Sequence, residues 1–195
     1  DRILSLGAGL LLDRGLQKYG LREREVELEY RHNGKPYLKN HPELFFNLSH
    51  SGTMVMAAFS DREIGCDIEK IRKTKMALVH RYFAKEEQLF LEQEQREEER
   101  DRLFSRYWTL KESVLKATGE GMRLPLDSFE LQLADFSSES PVKLIWHTDA
   151  GEKFPSLCFR EYEFSGYQAA VCRKGTDDGL SNVFFSFQNL QDVVR

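Results

Sequence analysis

Apolar residues follow two different spacings along this chain of 195 residues, and the spacing predicts the order of helices and strands. Residues 3–19 carry leucines at helical spacing, which predicts an amphipathic helix that ends near Gly20. A second long helix is predicted for residues 104–118, where "GEG" follows as a stop signal. Two shorter helices are predicted between them, at 77–83 and 85–91.

Short apolar runs separated by turn residues predict the strands. Only "HSGT" and "SDRE" separate the first three runs, so these are expected to form an antiparallel meander: residues 45–49, 54–59 and 64–69. A short strand at 26–30 and a turn at 33–36 precede them. The later strands are predicted at 129–133, 142–146, 156–163 and 168–172. "SNVFFSF" predicts a further edge strand, followed by a short final helix.

A helix and a group of short strands occur twice, which favours an α+β fold with two lobes. The lobes would join near residues 92–104, where a highly charged run is typical of a solvated helix end or a loop. The halves share no obvious sequence repeat, so this division depends on the pattern of elements alone.

Charge and cysteine content exclude several classes of protein. The net charge of -4 argues against nucleic-acid binding, which usually needs a basic excess. Three cysteines without a Cys/His cluster argue against a disulfide framework or a zinc site and favour a reducing, cytoplasmic location. No apolar run approaches the roughly 20 residues of a membrane span, so no membrane association is expected. Because the chain begins at Asp1, we expect that residues upstream of it are missing.

Two carboxylates interrupt the apolar strand "IGCDIE" at 64–69. Since side chains alternate along a strand, Asp67 and Glu69 share one face with Gly65, and the apolar residues face the core. Two neighbouring carboxylates need a compensating cation if they are buried, and Mg²⁺ prefers such oxygen ligands. A surface strand with two solvated acids is the alternative.

The helix at 104–118 carries a second charged group. Glu112 and Lys116 are four positions apart on the face that Trp108 anchors, and a plain surface ion pair is the alternative. Lys111, Lys116 and the glycines after the helix suit a phosphate. A carboxylate from Glu112, brought to the two acids of the strand, would form a Mg²⁺ site with positions open for a pyrophosphate.

The turn in "FNLSHSG" places Ser49 and His50 where they could bind a phosphate. A Ser/His nucleophile pair is disfavoured because adjacent residues of a strand point apart. Lys35 in "GKP" could add a cation. An ordinary polar turn and a surface lysine are the alternatives.

Four ordered motifs together are more specific than any one of them: "GKP", "FNLSHS", "IGCDIE" and "WTLKESVLKATGEG". With this order and spacing the chain resembles the 4'-phosphopantetheinyl transferases of the monomeric, two-lobed class. The resemblance covers residues 2–172. It implies a pseudo-dimer of two similar lobes, residues 1–100 and 101–195, each a helix packed on a small antiparallel sheet. The active site would lie in the cleft between them.

The resemblance also implies a reaction and its residues. A serine of an apo acyl or peptidyl carrier protein attacks the β-phosphate of coenzyme A, and adenosine 3',5'-bisphosphate leaves. Asp67, Glu69 and Glu112 would hold Mg²⁺, and the catalytic residues would be Glu112, Lys116 and Asp67. Glu112 would accept the serine proton, directly or through a water. Coenzyme A would contact Lys35, Ser49, His50, Lys111, Lys116 and Arg2.

Two alternatives remain open at this point. One is another Mg²⁺-dependent enzyme that cleaves a nucleotide pyrophosphate without a carrier. The other is a non-catalytic module that binds coenzyme A or a carrier protein. A carrier protein is acidic where it docks, so a net negative chain would need a local basic or apolar patch. We expect a monomer.

Overall fold

The computed structural model describes residues 2–134, 142–154, 156–176 and 184–189, and of residues 2, 3, 150 and 184–189 it describes the backbone alone. Its helices are α1 Arg2–Lys18, α2 Met76–Tyr82, α3 Lys85–Gln93, α4 Glu97–Thr118 and α5 Ala150–Lys153. Its strands are β1 Leu28–Tyr30, β2 Pro36–Leu38, β3 Phe45–Ser51, β4 Met54–Ser60, β5 Ile64–Lys70, β6 Phe129–Leu133, β7 Val142–Trp146, β8 Leu157–Phe164, β9 Tyr167–Lys174 and β10 Phe184–Asn189. None of the helices in these ranges combines the length and the apolar character that crossing a membrane requires.

Two three-stranded antiparallel sheets, each covered by one long helix, form the body of the fold. The first has the order β10-β4-β3 and packs against α1, and the second has the order β5-β9-β8 and packs against α4. Two hairpins, β1–β2 and β6–β7, complete the described strands. The mixed fold with small antiparallel sheets is therefore confirmed. The symmetry of two similar lobes and the cleft between them stay predictions.

The predicted meander is correct for its first two strands and wrong for the third. β3 pairs with β4, but β5 pairs with β9, with Asp67 opposite Ala170 and Glu69 opposite Gln168. Neighbouring apolar strands need not pair, because a strand pairs wherever both its apolar face and its hydrogen-bonding edge are satisfied. The division near residue 100 also stays a prediction, and the β5–β9 pairing connects the segments on either side of it.

Three further elements differ from the predictions or complete them. Helix α4 begins seven residues earlier than predicted, at Glu97, since the three glutamates of its first turn suit a helix N-terminus. β2, predicted only as a turn, begins at Pro36, a position where a strand tolerates proline. β10 confirms the predicted edge strand, and the predicted final helix lies outside the described residues.

The two faces of β5 determine the position of the site. Ile64, Cys66 and Ile68 are fully buried between the two sheets, as their alternation predicted. On the other face, Gly65 lies against α4. A Cβ atom there would be 2.2 Å from the carbonyl oxygen of Ser113, so only glycine allows the strand and the helix to come this close.

Candidate active site

Asp67 and Lys116 form an ion pair where β5 crosses α4. Lys116 Nζ lies 2.6 Å from Asp67 Oδ1 and also donates to the carbonyl oxygen of Cys66 at 3.1 Å. The close approach at Gly65 allows this short distance. Asp67 is buried, and the Lys116 side chain is 27% exposed, but its ammonium group donates to Asp67, Cys66 and Ser49.

A row of polar side chains on β3 joins the two sheets along the outer edge of β5. We call it the side-chain ladder, and it consists of Asn47, Ser49 and Ser51. Each oxygen accepts one backbone N–H of β5: Asn47 Oδ1 from Cys66 (2.9 Å), Ser49 Oγ from Ile68 (3.3 Å) and Ser51 Oγ from Lys70 (3.1 Å). Their spacing of two was visible in the sequence, but its partner strand was not.

The two serines of the ladder also hold the two acids of β5. Ser49 donates to Asp67 Oδ1 at 2.7 Å, and Ser51 donates to Glu69 Oε2 at 2.8 Å. The second oxygen of Asp67, Oδ2, is buried and has no hydrogen-bond partner within the described residues. A buried carboxylate oxygen without a partner is unfavourable, so this atom is suited to a cation.

Glu112 lies one helical turn before Lys116 and faces the same acids. Burial raises its pKa, and the negative charges of Asp67 and Glu69 raise it further, whereas Lys116 opposes the shift. The pKa of Glu69 is likewise raised by burial and by Asp67, with the Ser51 hydrogen bond opposing. The negative charges of Asp67 and Glu69 therefore disfavour a charged Glu112.

These acids do not form a ready-made metal site. Across the described ranges, no group of three or more His, Cys, Asp or Glu side chains is placed so that it could hold a metal ion. One oxygen of Asp67 is instead occupied by Lys116. The predicted ligand set of Asp67, Glu69 and Glu112 thus stays a prediction.

We call the crossing of β5 and α4, with its acids and Lys116, the junction. A cavity of about 270 Å³ opens beside it. Glu112 and Lys116 line it from α4, and Lys35 lines it from the turn between β1 and β2. Lys35 is held in place, since its Nζ donates to Glu63 Oε2 at 2.7 Å and to the carbonyl oxygen of Ile64 at 3.0 Å. The predicted cation of the "GKP" turn therefore lies beside the same cavity as two predicted catalytic residues.

The structure does not support the predicted phosphate contact of Lys111, whose side chain lies inside the protein. Its side chain is fully buried and makes three contacts, with Glu87 Oε2 at 2.9 Å and with the carbonyl oxygens of Leu126 at 2.7 Å and Phe129 at 2.9 Å. An ammonium group has three N–H donors, and those of Lys111 are all used in a side chain that, unlike that of Lys116, is fully buried. Five helical positions separate it from Lys116, which places the two lysines on different faces of α4.

The remaining predicted coenzyme A contacts have different outcomes. The Ser49 hydroxyl donates to Asp67 and accepts from Lys116 Nζ and from the Ile68 amide, so its capacity is filled. The structure thus does not support a phosphate contact for Ser49 but gives it a role in holding Asp67. His50 is exposed on the opposite face of β3, and its prediction stays untested. The side chain of Arg2 lies outside the described residues.

A second cavity, of about 210 Å³, lies on the other side of the acids. Glu69 lines it, and apolar side chains line part of its wall: Leu78, Phe104 and Trp108. Ser105 and four cations complete its lining, and the cations are Lys70, Arg72, Lys73 and Lys75. A dense basic segment therefore borders the acidic junction in a chain whose net charge is negative.

Comparison with known proteins gives one consistent family. A profile of the 4'-phosphopantetheinyl transferase superfamily matches residues 63–172. The chain is 34% identical to the 4'-phosphopantetheinyl transferase ffp of Bacillus subtilis and 31% identical to Sfp of Bacillus subtilis strain 168, each match covering 89% of this chain and 75% of the relative. A crystal structure of the Helicobacter pylori holo-[acyl-carrier-protein] synthase in complex with coenzyme A is 18% identical, with a TM-score of 0.46 over 57% of this chain and 99% of the other.

Proposed function

Because the chain belongs to the 4'-phosphopantetheinyl transferase superfamily, we propose that it moves the 4'-phosphopantetheine group of coenzyme A to a serine of an apo acyl or peptidyl carrier protein. Adenosine 3',5'-bisphosphate is the other product, and Mg²⁺ is required. The observation that carries the proposal is the junction of β5 and α4. There Lys116 pairs with Asp67, and Glu112, one helical turn earlier, lines the same cavity as Lys116 and Lys35.

The donor chemistry of the junction acids suits Mg²⁺, and their binding of it is part of the proposal. Asp67 has one buried oxygen without a partner, and Glu69 and Glu112 repel it and each other when all are charged. Oxygen ligands of this type suit a hard divalent cation. Bound there, Mg²⁺ would neutralise the negative charge of the pyrophosphate.

The other side chains of the site have separate roles in the proposed reaction. Glu112 accepts the proton of the attacking serine, directly or through a water. Lys116 keeps its charge because Asp67 raises its pKa against the opposing effect of burial. That charge stabilises the leaving phosphate. Lys35, which lines the same cavity, would lie near the nucleotide.

The basic cavity beside Glu69 supports an acidic protein as the acceptor. Its four cations on the segment 70–75 offer the positive patch that a net negative chain would need, and its apolar wall offers area for burial. The same proposal includes the lobes 1–100 and 101–195, coenzyme A in the cleft between them, and a monomer that acts in the cytoplasm.

Mass spectrometry of the carrier protein tests the transfer directly. The protein is incubated with an apo carrier, coenzyme A and Mg²⁺, and the carrier is expected to gain one phosphopantetheine group. Asp67→Asn and Glu112→Gln are expected to abolish the gain while the protein stays folded. Glu92→Gln, an exposed acid on α3, serves as the matched control and should keep full activity. No gain with any of several carriers would refute the proposal.

The same mixture separates the two alternative functions. A nucleotide pyrophosphate enzyme would release adenosine 3',5'-bisphosphate from coenzyme A without a carrier. A binding module would retain coenzyme A or the carrier without changing the mass of either. A transferase releases the bisphosphate only when the carrier is present, in equal amounts with the modified carrier.

A further inference from the structure

We propose that Ser51 is a positioning residue for Glu69, one of the three acids proposed to hold Mg²⁺. The inference rests on the proposed function, since it assigns Ser51 a role in that same site. Ser51 lies on β3 and is 8% exposed, so it contacts neither cavity of the site directly. Its hydroxyl therefore acts on the site through its hydrogen-bond partners, Glu69 and the amide of Lys70.

The hydrogen bonds of Ser51 determine the direction of its proton. The amide of Lys70 donates to Ser51 Oγ at 3.1 Å, and Oγ donates to Glu69 Oε2 at 2.8 Å. Because the amide points at the lone pairs of the hydroxyl, the hydroxyl proton is directed to the carboxylate. One carboxylate oxygen is thereby fixed, and the rotation of a long, flexible side chain is restricted.

Ser51 is itself anchored to the second sheet through the turn that follows it. The amide of Thr53 donates to Tyr167 Oη at 3.1 Å, at the start of β9. Gly52 between them has a φ of 58°, and a Cβ atom there would lie 2.6 Å from the same Tyr167 oxygen. The turn is therefore closely packed, which gives the serine a defined place from which to hold Glu69.

The same arrangement occurs two residues earlier on both strands. Ser49 accepts the amide of Ile68 and donates to Asp67 Oδ1, as Ser51 accepts the amide of Lys70 and donates to Glu69. In both pairs the serine bonds one carboxylate oxygen and the amide of the residue after the acid. The repetition indicates that the ladder sets the orientation of both carboxylates together, beyond joining two sheets.

Cation binding and transfer are measured on Ser51→Ala, Ser51→Thr and the wild-type protein. Mg²⁺ is titrated calorimetrically into protein saturated with coenzyme A, without carrier, and the Mg²⁺ concentration for half-maximal transfer is measured separately. Loss of a partner that orients a metal ligand typically weakens metal affinity about tenfold or more, so Ser51→Ala should need about tenfold more Mg²⁺ in both measurements. Ser51→Thr, which keeps the hydroxyl, should restore both values.

Ser128→Ala is the matched control, because Ser128 is also buried and donates locally to the carbonyl oxygen of Pro125. It should leave the Mg²⁺ dependence unchanged. A Ser51→Ala protein that has a lower Tm but binds Mg²⁺ as the wild type does would overturn the proposal. Ser51 would then contribute to stability alone. If the wild type itself transfers nothing, the proposed function fails instead, which is a distinguishable result.

A coupling test covers the case in which Ser51→Ala alone folds poorly. Each variant is compared with and without Glu69→Gln, and binding is measured at a temperature where all are folded. If Ser51 acts through Glu69, adding Ser51→Thr or Ser51→Ala to Glu69→Gln should weaken Mg²⁺ binding no further. An additional loss in the double variant equal to that of the single variant would contradict the inference.

Discussion

Lys111→Met should lower the melting temperature of the protein without changing how the protein binds coenzyme A. The variant keeps the length of the side chain but removes the three donors that bind Glu87, Leu126 and Phe129. Glu87 is 1% exposed, so its charge would remain buried without a cation. Breaking a buried ion pair in this way costs about 3–5 kcal/mol.

This free energy converts into a measurable change of melting temperature. For a domain of about this size, 1 kcal/mol lowers Tm by roughly 2–4 °C, so Lys111→Met should lower it by roughly 6–20 °C. Circular dichroism melts measure the change, and Lys85→Met serves as the control, since Lys85 is an exposed lysine on α3. A surface substitution of this kind changes stability by about 0.5 kcal/mol at most.

A second variant tests the cause of the loss. Glu87→Gln keeps a side-chain oxygen for the amide of Leu131, which donates to Glu87 Oε1 at 2.9 Å, but removes the charge. Combined with Lys111→Met it should recover part of the lost stability, because neither charge then remains unpaired. A Lys111→Met protein with an unchanged Tm and a raised KM for coenzyme A would refute the reasoning and return Lys111 to the phosphate site.

Three further predictions concern the junction itself. Gly65→Ala should cost about 1–3 kcal/mol and reduce transfer, because its Cβ would push α4 away at Ser113, whereas Gly9→Ala, with nothing within 4 Å, should not destabilise in the same melts. Glu112→Gln should raise the Tm of the metal-free protein at pH 7. Burial and the neighbouring acids raise the pKa of Glu112, so at pH 7 its charge destabilises the folded protein. The gain in Tm from Glu112→Gln should vanish toward pH 4.5, where the carboxyl group is protonated in the wild type. An unchanged Tm at pH 7 would contradict the prediction. Chelation by EDTA should stop transfer and excess Mg²⁺ should restore it, and transfer that continues in EDTA would remove the metal from the proposal.

Local features of the site could be predicted from the sequence because they depend on spacing alone. Alternation along β5 placed Asp67 and Glu69 opposite the buried Ile68, and the structure confirms this arrangement. The helical spacing of Glu112 and Lys116 placed them on one face of α4, and both line the same cavity. Neither inference needs knowledge of the partner element.

The remaining features depend on pairings between distant segments, which spacing does not determine. β5 pairs with β9 and not with β4. Both candidate partners are apolar strands, so the sequence of each strand does not show which one pairs with β5. The burial of Lys111, which was predicted beside Lys116 as a phosphate contact, could not be predicted for the same reason. Spacing separates them around the helix, but only the position of Glu87 on α3 determines which lysine is inside.

The pairing of β5 with β9 has a consequence for the synthesis of the protein. β5 ends at Lys70 and its partner ends at Lys174, so about 100 residues must be added after the acids have left the ribosome before their strand has its neighbour. At about 5–20 residues per second this interval lasts roughly 5–20 s. Throughout it the nascent chain presents an apolar strand with an open edge, which is the kind of segment that chaperones bind.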